Sequence, residues 1–188
     1  MDVRTIETLG GHALTVQTAD TRQDPGARMS IVPTDVVTLR DGLSAALSSH
    51  PVGAIKIGML GTRKLVETVA EGLKDFDGPI VLDPVLSSSS GLCLLEKDAY
   101  ASLEALSRIV TLVTPNLEEY ERLGGDDWRA RIGVPVLLKG GHGTGEVLVD
   151  RLYAVDGAPS AWEHPRRVLQ NPRGTGCALS SAIAFFLA

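Results

Sequence analysis

The chain has few cysteines and no long apolar run, and both absences limit the classes of protein to which it can belong. It has two cysteines in 188 residues, Cys93 and Cys177, far apart and without a C-x-x-C pair. This argues against a disulfide framework and against a structural zinc site. Nowhere do eighteen apolar residues follow one another, so we expect neither a signal peptide nor a membrane span. These features are typical of a cytoplasmic protein.

An excess of positive charge is also missing. The formal net charge is −5, which disfavours nucleic acid and anionic membranes as the main partner. A small soluble ligand is therefore the expected partner. At 188 residues and 44% hydrophobic, the chain can build one sizeable core but not two, and we predict a single domain over residues 1–188.

What the sequence does contain is a regular alternation of strand-like and helix-like segments. Short apolar runs such as AIKIG, PIVL, TLVTP and VPVLL alternate with segments of helical periodicity. This order predicts an α/β fold with a mostly parallel sheet flanked by helices on both faces. Near the C-terminal end, Asp156-Gly157 separates two alternating segments and predicts a β-hairpin.

Polar residues follow three of the predicted strands. Asp83 follows one, Asn116 with Glu119 follows the next, and Lys139 follows a third. In parallel α/β sheets ligands bind beyond the carboxyl ends of the strands. Asp83 and Glu119 together suit Mg²⁺ held through water, and Lys139 suits a phosphate. Structural roles stay open: Asn116 and Glu119 have capping-box spacing, Asp83 can shape a strand end before proline, and Lys139 can be a solvated strand end.

A Gly-Thr-Gly turn precedes the last predicted helix and is immediately followed by Cys177. Glycines let backbone N–H groups face a ligand, and the helix adds the positive end of its dipole, so the turn is a candidate anion site. Its residues are Gly174, Thr175 and Gly176. The dipole is expected to favour the thiolate of Cys177. The alternative is an ordinary loop followed by a small buried hydrophobe.

Two packing expectations accompany this interpretation. The four-residue spacing of Leu179, Ile183 and Leu187 predicts one buried face on the last helix. Cys93 is expected to fill space in the core.

Five motifs occur in a familiar order: IGMLGT, VLDPVLSSSSG, TPNLEE, VLLKGGH and NPRGTGC. Together they resemble the hydroxymethylpyrimidine and phosphomethylpyrimidine kinases of thiamine biosynthesis, a branch of the ribokinase-like fold, over nearly the whole chain. The resemblance implies a transferase that uses ATP and Mg²⁺ to phosphorylate 4-amino-5-hydroxymethyl-2-methylpyrimidine and/or its monophosphate. It also implies a homodimer.

The resemblance further implies roles for individual residues. Gly174, Thr175 and Gly176 would form the anion hole for the transferring phosphoryl group, with Thr175, Gly176 and Lys139 contacting ATP. Cys177 occupies the position of the catalytic base in related sugar kinases. Asp83 and Glu119 would hold Mg²⁺ and its waters.

The pyrimidine-binding residues implied by the same resemblance are Asp2, Gln23, Met59 and Val85. The amide of Gln23 suits a pyrimidine edge because an amide donates and accepts hydrogen bonds at once.

Compared with the family, the chain lacks the first strand with its Gly/Ser-rich loop and the last helix, so we expect a kinase domain truncated at both ends. Two alternatives stay open. One is a pyridoxal or pyridoxine kinase, whose acceptor is also a hydroxymethyl heterocycle, and the other is a non-catalytic pyrimidine-binding module.

Overall fold

A computed structural model describes residues 1–22, 30–88, 91–140, 146–166 and 174–188. The helices are α1 (Asp2–Thr8), α2 (Val36–Ser49), α3 (Arg63–Gly72), α4 (Tyr100–Ser107), α5 (Leu117–Leu123), α6 (Gly125–Ile132) and α7 (Thr175–Leu187). The strands are β1 (Ala19–Arg22), β2 (Ser30–Pro33), β3 (Ile55–Ile57), β4 (Ile80–Leu82), β5 (Leu112–Val113), β6 (Val136–Leu138), β7 (Val147–Tyr153) and β8 (Ser160–Pro165). A short 3₁₀ turn, Lys97–Ala99, leads into α4.

The main sheet has six strands in the order β3-β4-β5-β6-β7-β8. The first four are parallel to one another, whereas β7 runs antiparallel to β6 and pairs with β8 as a hairpin. The loop of the hairpin contains Gly157 at a φ of +98°. Strands β1 and β2 form a separate antiparallel pair. The predicted α/β class, parallel strands and C-terminal hairpin are therefore confirmed.

The core lies between the central strands and the helices that flank them. Val81, Leu82, Val113 and Val136 on β4, β5 and β6 are fully buried, and burial of such a side chain contributes roughly 1.5–3 kcal/mol. Helix α3 starts at a side-chain cap, where the Thr62 hydroxyl accepts a hydrogen bond from the N–H of Leu65. No helix within the described ranges is long and apolar enough to cross a bilayer.

The predicted buried face of α7 is wrong. Leu179 and Leu187 are exposed and Ile183 is only half-buried. The buried residues of the helix are Ser180, Ser181 and Ala184. Helix α7 packs against β3 and β4, and small side chains on that face allow the helix backbone to come close to the sheet. The apolar residues therefore lie to the side of the contact.

The expected burial of Cys93 is also wrong. Its side chain is exposed, and its thiol donates to the backbone oxygen of Leu95 at 3.0 Å. Cys93 pairs with Ser87 in an isolated antiparallel bridge. This bridge belongs to a loop after β4. The sequence pattern alone does not show that Cys93 lies on the surface of this loop and not in the core.

Candidate functional site

The carboxyl ends of β4 and β6 meet the start of α7 at one edge of the sheet. Lys139 Nζ lies 2.6 Å from Asp83 Oδ1, with only 11% and 3% of the two side chains exposed. A Cβ atom on Gly176 would lie 3.0 Å from Lys139 Nζ. The absence of a side chain at Gly176 therefore allows α7 to begin directly beside the ammonium group. The structure thus brings Asp83, Lys139 and the predicted anion-binding turn together.

The other carboxylate oxygen of Asp83 faces α7. The hydroxyl of Ser180 lies 3.4 Å from Asp83 Oδ2, and also within 3.2 Å of the backbone oxygen of Gly176 and 3.0 Å of that of Cys177. A hydroxyl has one proton to donate, so these acceptors compete for it. Ser180 was not among the predicted site residues, and a serine within an apolar helix is the signal that marks it.

Asn116 and Glu119 form the capping box that their spacing predicts. The N–H of Asn116 donates to Glu119 Oε2 at 2.8 Å, and the N–H of Glu119 donates to Asn116 Oδ1 at 2.9 Å. Asn116 also pairs with Lys139 through a parallel bridge, which places the cap beside the ion pair.

The Glu119 carboxyl is buried next to the Lys139–Asp83 pair. Burial raises its pKa above the ordinary value, while the N–H of Asn116 and the charge of Lys139 act in the opposite direction. The negative charge of Asp83 raises the pKa of Glu119 further. Glu119 and Asp83 are thus close enough to interact electrostatically.

Cys177 lies in the first turn of α7 and is half-buried. Burial raises the pKa of its thiol, the charge of Lys56 lowers it, and the carboxylates of Asp83 and Asp2 raise it. The pKa of the thiol is therefore shifted in the direction opposite to the one expected from the helix dipole, because burial and two carboxylates raise it and Lys56 lowers it.

A second lysine-aspartate pair lies beside Cys177. Lys56 Nζ is 2.8 Å from Asp2 Oδ2, and the side-chain exposures are 6% for Lys56 and 43% for Asp2. Asp2 was predicted to bind substrate, but Lys56 was missed. The signal was a single lysine in the middle of the apolar strand Ile55–Ile57.

The predicted pyrimidine-binding residues are only partly described. Met59 and Val85 are half-buried and lie just beyond β3 and β4. The backbone oxygen of Met59 accepts a hydrogen bond from the Thr18 hydroxyl at 2.6 Å. Gln23 lies outside the described residues.

The anion-binding turn is described from Gly174 onward. Gly174 has a φ of +81°, and a Cβ atom there would lie 3.3 Å from Met1 Cε. Thr175 is exposed and begins α7. The first N–H groups of a helix point out of its N-terminal end. Those of α7 therefore point out of the helix at this turn.

The acidic groups at this edge do not form a ready-made metal cage. Among the residues that the structure describes, no three His, Cys, Asp or Glu side chains group in a way that could hold a metal ion. Asp83 and Glu119 are a two-carboxylate set, and such a set suits an ion that keeps most of its water.

Comparison with known proteins agrees with this geometry. The family model described as phosphomethylpyrimidine kinase matches residues 1–188. The hydroxymethylpyrimidine/phosphomethylpyrimidine kinase of Streptomyces coelicolor is 37% identical, and the match covers 100% of this chain and 74% of that protein. A multifunctional thiamine biosynthesis protein of Corynebacterium efficiens is 32% identical over 97% of this chain, but the chain spans only 27% of its length.

Among solved structures, the ADP complex of pyridoxal kinase from Bacillus subtilis is similar, with a TM-score of 0.86 and 25% sequence identity. The match covers 99% of this chain and 76% of that one. The ribokinase-like fold and the kinase class expected from the ordered motifs are thus confirmed. The chain belongs to the phosphomethylpyrimidine kinase family, a family of phosphotransferases.

Proposed function

We propose that this chain transfers the γ-phosphoryl group of ATP to 4-amino-5-hydroxymethyl-2-methylpyrimidine and/or its monophosphate in thiamine biosynthesis. The observation that carries the proposal is the meeting of Lys139, Asp83 and the first turn of α7 at one edge of the sheet. The names of the two relatives support the substrate and the pathway. ATP as donor is supported by the nucleotide bound in the similar pyridoxal kinase.

The transferring phosphoryl group carries negative charge on its three equatorial oxygens. The N–H groups at residues 174–176 and the ammonium of Lys139 provide donors for these oxygens. Because Gly176 has no side chain, Lys139 lies against the start of α7, and in this proposal one phosphoryl group contacts both. Lys139 then exchanges part of its contact with Asp83 for a contact with phosphate. The loss of one donor of this kind typically costs about 10²–10³ in rate.

In this proposal Cys177 acts as the general base. When the acceptor is the hydroxymethyl group, its oxygen forms a bond to the γ-phosphorus, the bond to the bridging oxygen breaks and ADP leaves, and the thiolate form of Cys177 takes the proton. The raised pKa of Cys177 makes this thiolate scarce at neutral pH. A phosphate acceptor is already anionic, so the second step does not need the base.

Mg²⁺ fits the chemistry of the acidic pair. Asp83 and Glu119 are carboxylates, which a hard cation prefers, and their number suits an ion that binds mainly through water. When bound, the ion would neutralise charge on the phosphates of ATP. In this proposal Asp83 and Glu119 orient its waters.

The acceptor ring is assigned to the residues beyond β3 and β4. Met59 and Val85 provide apolar contacts for the faces of the ring, and Gln23 hydrogen-bonds its edge. Asp2 is assigned to the same part of the site because it forms an ion pair with Lys56.

A direct assay tests the proposal. The purified protein is incubated with ATP, Mg²⁺ and each pyrimidine acceptor, and products are followed by ³¹P NMR. We expect the monophosphate, the diphosphate or both, and no product from Lys139→Met. A folded wild-type protein that makes neither product would refute the function. Calorimetry that shows pyrimidine binding in the same sample would then favour the non-catalytic module.

Pyridoxal kinase activity is a second candidate, favoured by the structural similarity to the Bacillus subtilis enzyme. Measurement of kcat/KM for pyridoxal and for the pyrimidine under identical conditions separates the two. A higher value for pyridoxal would replace the primary proposal.

We further propose that residues 1–188 act as one kinase domain in a cytoplasmic homodimer. Light scattering coupled to gel filtration tests the oligomeric state, and fractionation of cells that express the protein tests its location. A monomer at assay concentrations would contradict the dimer without affecting the proposed chemistry.

A further inference from the structure

We propose that Lys56 binds the phosphate of the monophosphate acceptor, so that the site carries one ammonium for the donor phosphoryl group and a second for the acceptor. This inference rests on the proposed function. It makes Lys56 a residue that distinguishes the phosphorylated acceptor from the unphosphorylated pyrimidine.

The first observation is that Lys56 is a buried cation whose charge and hydrogen-bond donors are only partly matched by a partner. Its side chain is 6% exposed and lies in β3 between Ile55 and Ile57. Moving an ammonium out of water is unfavourable unless partners replace the solvent. In the described part of the chain its ion-pair partner is Asp2, which is itself 43% exposed. An ammonium has three N–H donors, and one carboxylate oxygen uses one of them.

The second observation is the position of Lys56 relative to Cys177. The charges of Lys56, Asp2 and Asp83 all act on the Cys177 thiol, and Asp83 is paired with Lys139. Cys177 is therefore electrostatically coupled to both lysine-aspartate pairs. The backbone shows the same proximity: Lys56 pairs with Val81 on the neighbouring strand β4, and the N–H of Asp83 donates to the backbone oxygen of Ile57 at 2.8 Å. We therefore assign the two ammonium groups to one site.

The third observation is that both ammonium groups lie against a glycine. A Cβ atom on Gly58 would lie 2.8 Å from Lys56 Nζ, and a Cβ atom on Gly176 would lie 3.0 Å from Lys139 Nζ. In each case the ammonium packs directly against the glycine backbone, and a larger residue at that position would push it away. Both lysines are therefore held by the same kind of close contact.

The chemistry of the second phosphorylation explains why two cations are needed. An oxygen of the acceptor phosphate forms a bond to the γ-phosphorus, the bond from that phosphorus to the bridging oxygen breaks, and ADP leaves. Two anionic groups must come within bonding distance, and a cation on each offsets their repulsion. A neutral hydroxymethyl acceptor brings no such charge. Lys56 is therefore needed mainly when the acceptor carries phosphate.

The test compares both acceptors in Lys56→Met. We expect kcat/KM for the monophosphate to fall roughly tenfold to a hundredfold more than kcat/KM for the unphosphorylated pyrimidine, chiefly through KM, because one charge-assisted hydrogen bond is lost. Lys56→Arg should restore part of the difference. Lys64→Met removes an exposed lysine from α3 and serves as the matched control.

Calorimetry gives a readout that does not depend on turnover. Wild-type protein should bind the monophosphate more tightly than the free pyrimidine, and Lys56→Met should remove most of this difference. Equal losses for both ligands, or an unchanged difference, would refute the role of Lys56. Selective binding without any turnover would support Lys56 but refute the proposed kinase activity. If Lys56→Met does not fold, Lys56→Gln provides the same comparison.

Discussion

Lys139 Nζ contacts Asp83 Oδ1 at 2.6 Å and joins the end of β6 to the end of β4 inside the protein. Both side chains are largely removed from water, so the loss of either one leaves the other buried without its partner. The same ammonium faces the first turn of α7 through Gly176. One ion pair therefore links the stability of the sheet edge to the proposed phosphate site.

Lys139→Met is expected to damage both stability and activity. The substitution leaves the Asp83 carboxylate buried without its cation, which typically lowers the free energy of unfolding by about 3–5 kcal/mol. Phosphoryl transfer should be lost as well. Urea denaturation and the kinase assay measure the two effects separately.

The double variant Asp83→Asn, Lys139→Met is the control for this prediction. It removes both charges, so it should recover much of the stability but none of the activity. A single Lys139→Met variant as stable as the wild type would show that the pair is not buried in solution.

Gly176→Ala should reduce activity without destabilising the fold. The new Cβ atom meets the flexible end of Lys139 at 3.0 Å and needs a shift of the ammonium of only a few tenths of an ångström, which keeps the ion pair with Asp83. Because phosphoryl transfer is sensitive to position, we expect a loss of roughly tenfold or more in kcat/KM. Alanine is the better helix former by up to about 1 kcal/mol. Thermal unfolding should therefore show no loss of stability.

The matched control is Gly157→Ala in the hairpin loop. Gly157 has a φ of +98° and no atom within 4 Å of a built Cβ. We expect a stability loss of about 1–2 kcal/mol from backbone strain and unchanged kinetics. If Gly176→Ala retains full activity, the contact between Lys139 and the turn has no role in transfer.

The thiol of Cys177 should react slowly with iodoacetamide at neutral pH. Its pKa is raised by burial, so the reactive thiolate forms only at a pH above that needed for an ordinary cysteine. Asp83→Asn removes a charge that raises the pKa and should speed the reaction. Lys56→Met removes a charge that lowers the pKa and should slow it.

These labelling rates are best measured by mass spectrometry in a Cys93→Ser background, because Cys93 is exposed. Labelling of Cys177 at neutral pH faster than that of a cysteine in an unstructured peptide would contradict the raised pKa.

Glu119 should make stability fall as pH rises. Because its pKa is raised in the folded state, the folded protein holds the Glu119 proton more tightly than the unfolded chain does. This contribution is fully present below the ordinary pKa of glutamate and is lost as pH rises through the raised pKa. Glu119→Gln stays neutral and should flatten that part of the pH profile in urea denaturation.

Glu119→Ala also removes the acceptor for the N–H of Asn116. We expect a loss of about 0.5–2 kcal/mol relative to Glu119→Gln, because the capping box is broken. Glu118→Gln changes an exposed neighbour that pairs with Arg122 at 3.5 Å and should have little effect. Equal stability of the alanine and glutamine variants would show that the cap contributes nothing.

The parts of this site that could be predicted from sequence are those fixed by local chemistry or by strand order. Asp83 and Lys139 meet because the carboxyl ends of parallel strands share one edge. The Asn116–Glu119 box forms within a single helical turn. Each of these inferences needs only residues that are near in sequence or a rule about sheets.

The parts that were missed depend on contacts between distant segments. Lys56 meets Asp2 across 54 positions, and an apolar strand gives no sign of that partner. The pKa of Cys177 depends on burial and on carboxylates brought from other elements. Helix α6 begins directly after Gly124, whose φ of +115° ends α5. Two consecutive glycines usually indicate a loop, so the sequence pattern does not indicate a second helix there.

The small-residue face of α7 has a mechanical consequence. Ser180, Ser181 and Ala184 hold the helix close to the sheet, and the first turn of that same rigid rod presents Gly176 to Lys139. A bulkier residue at Ala184 would move α7 away from the sheet, and the N-terminal end of the helix would then move away from the ammonium of Lys139. Mutational tolerance at Ala184, a position with no chemistry of its own, is therefore limited by the precision that catalysis requires.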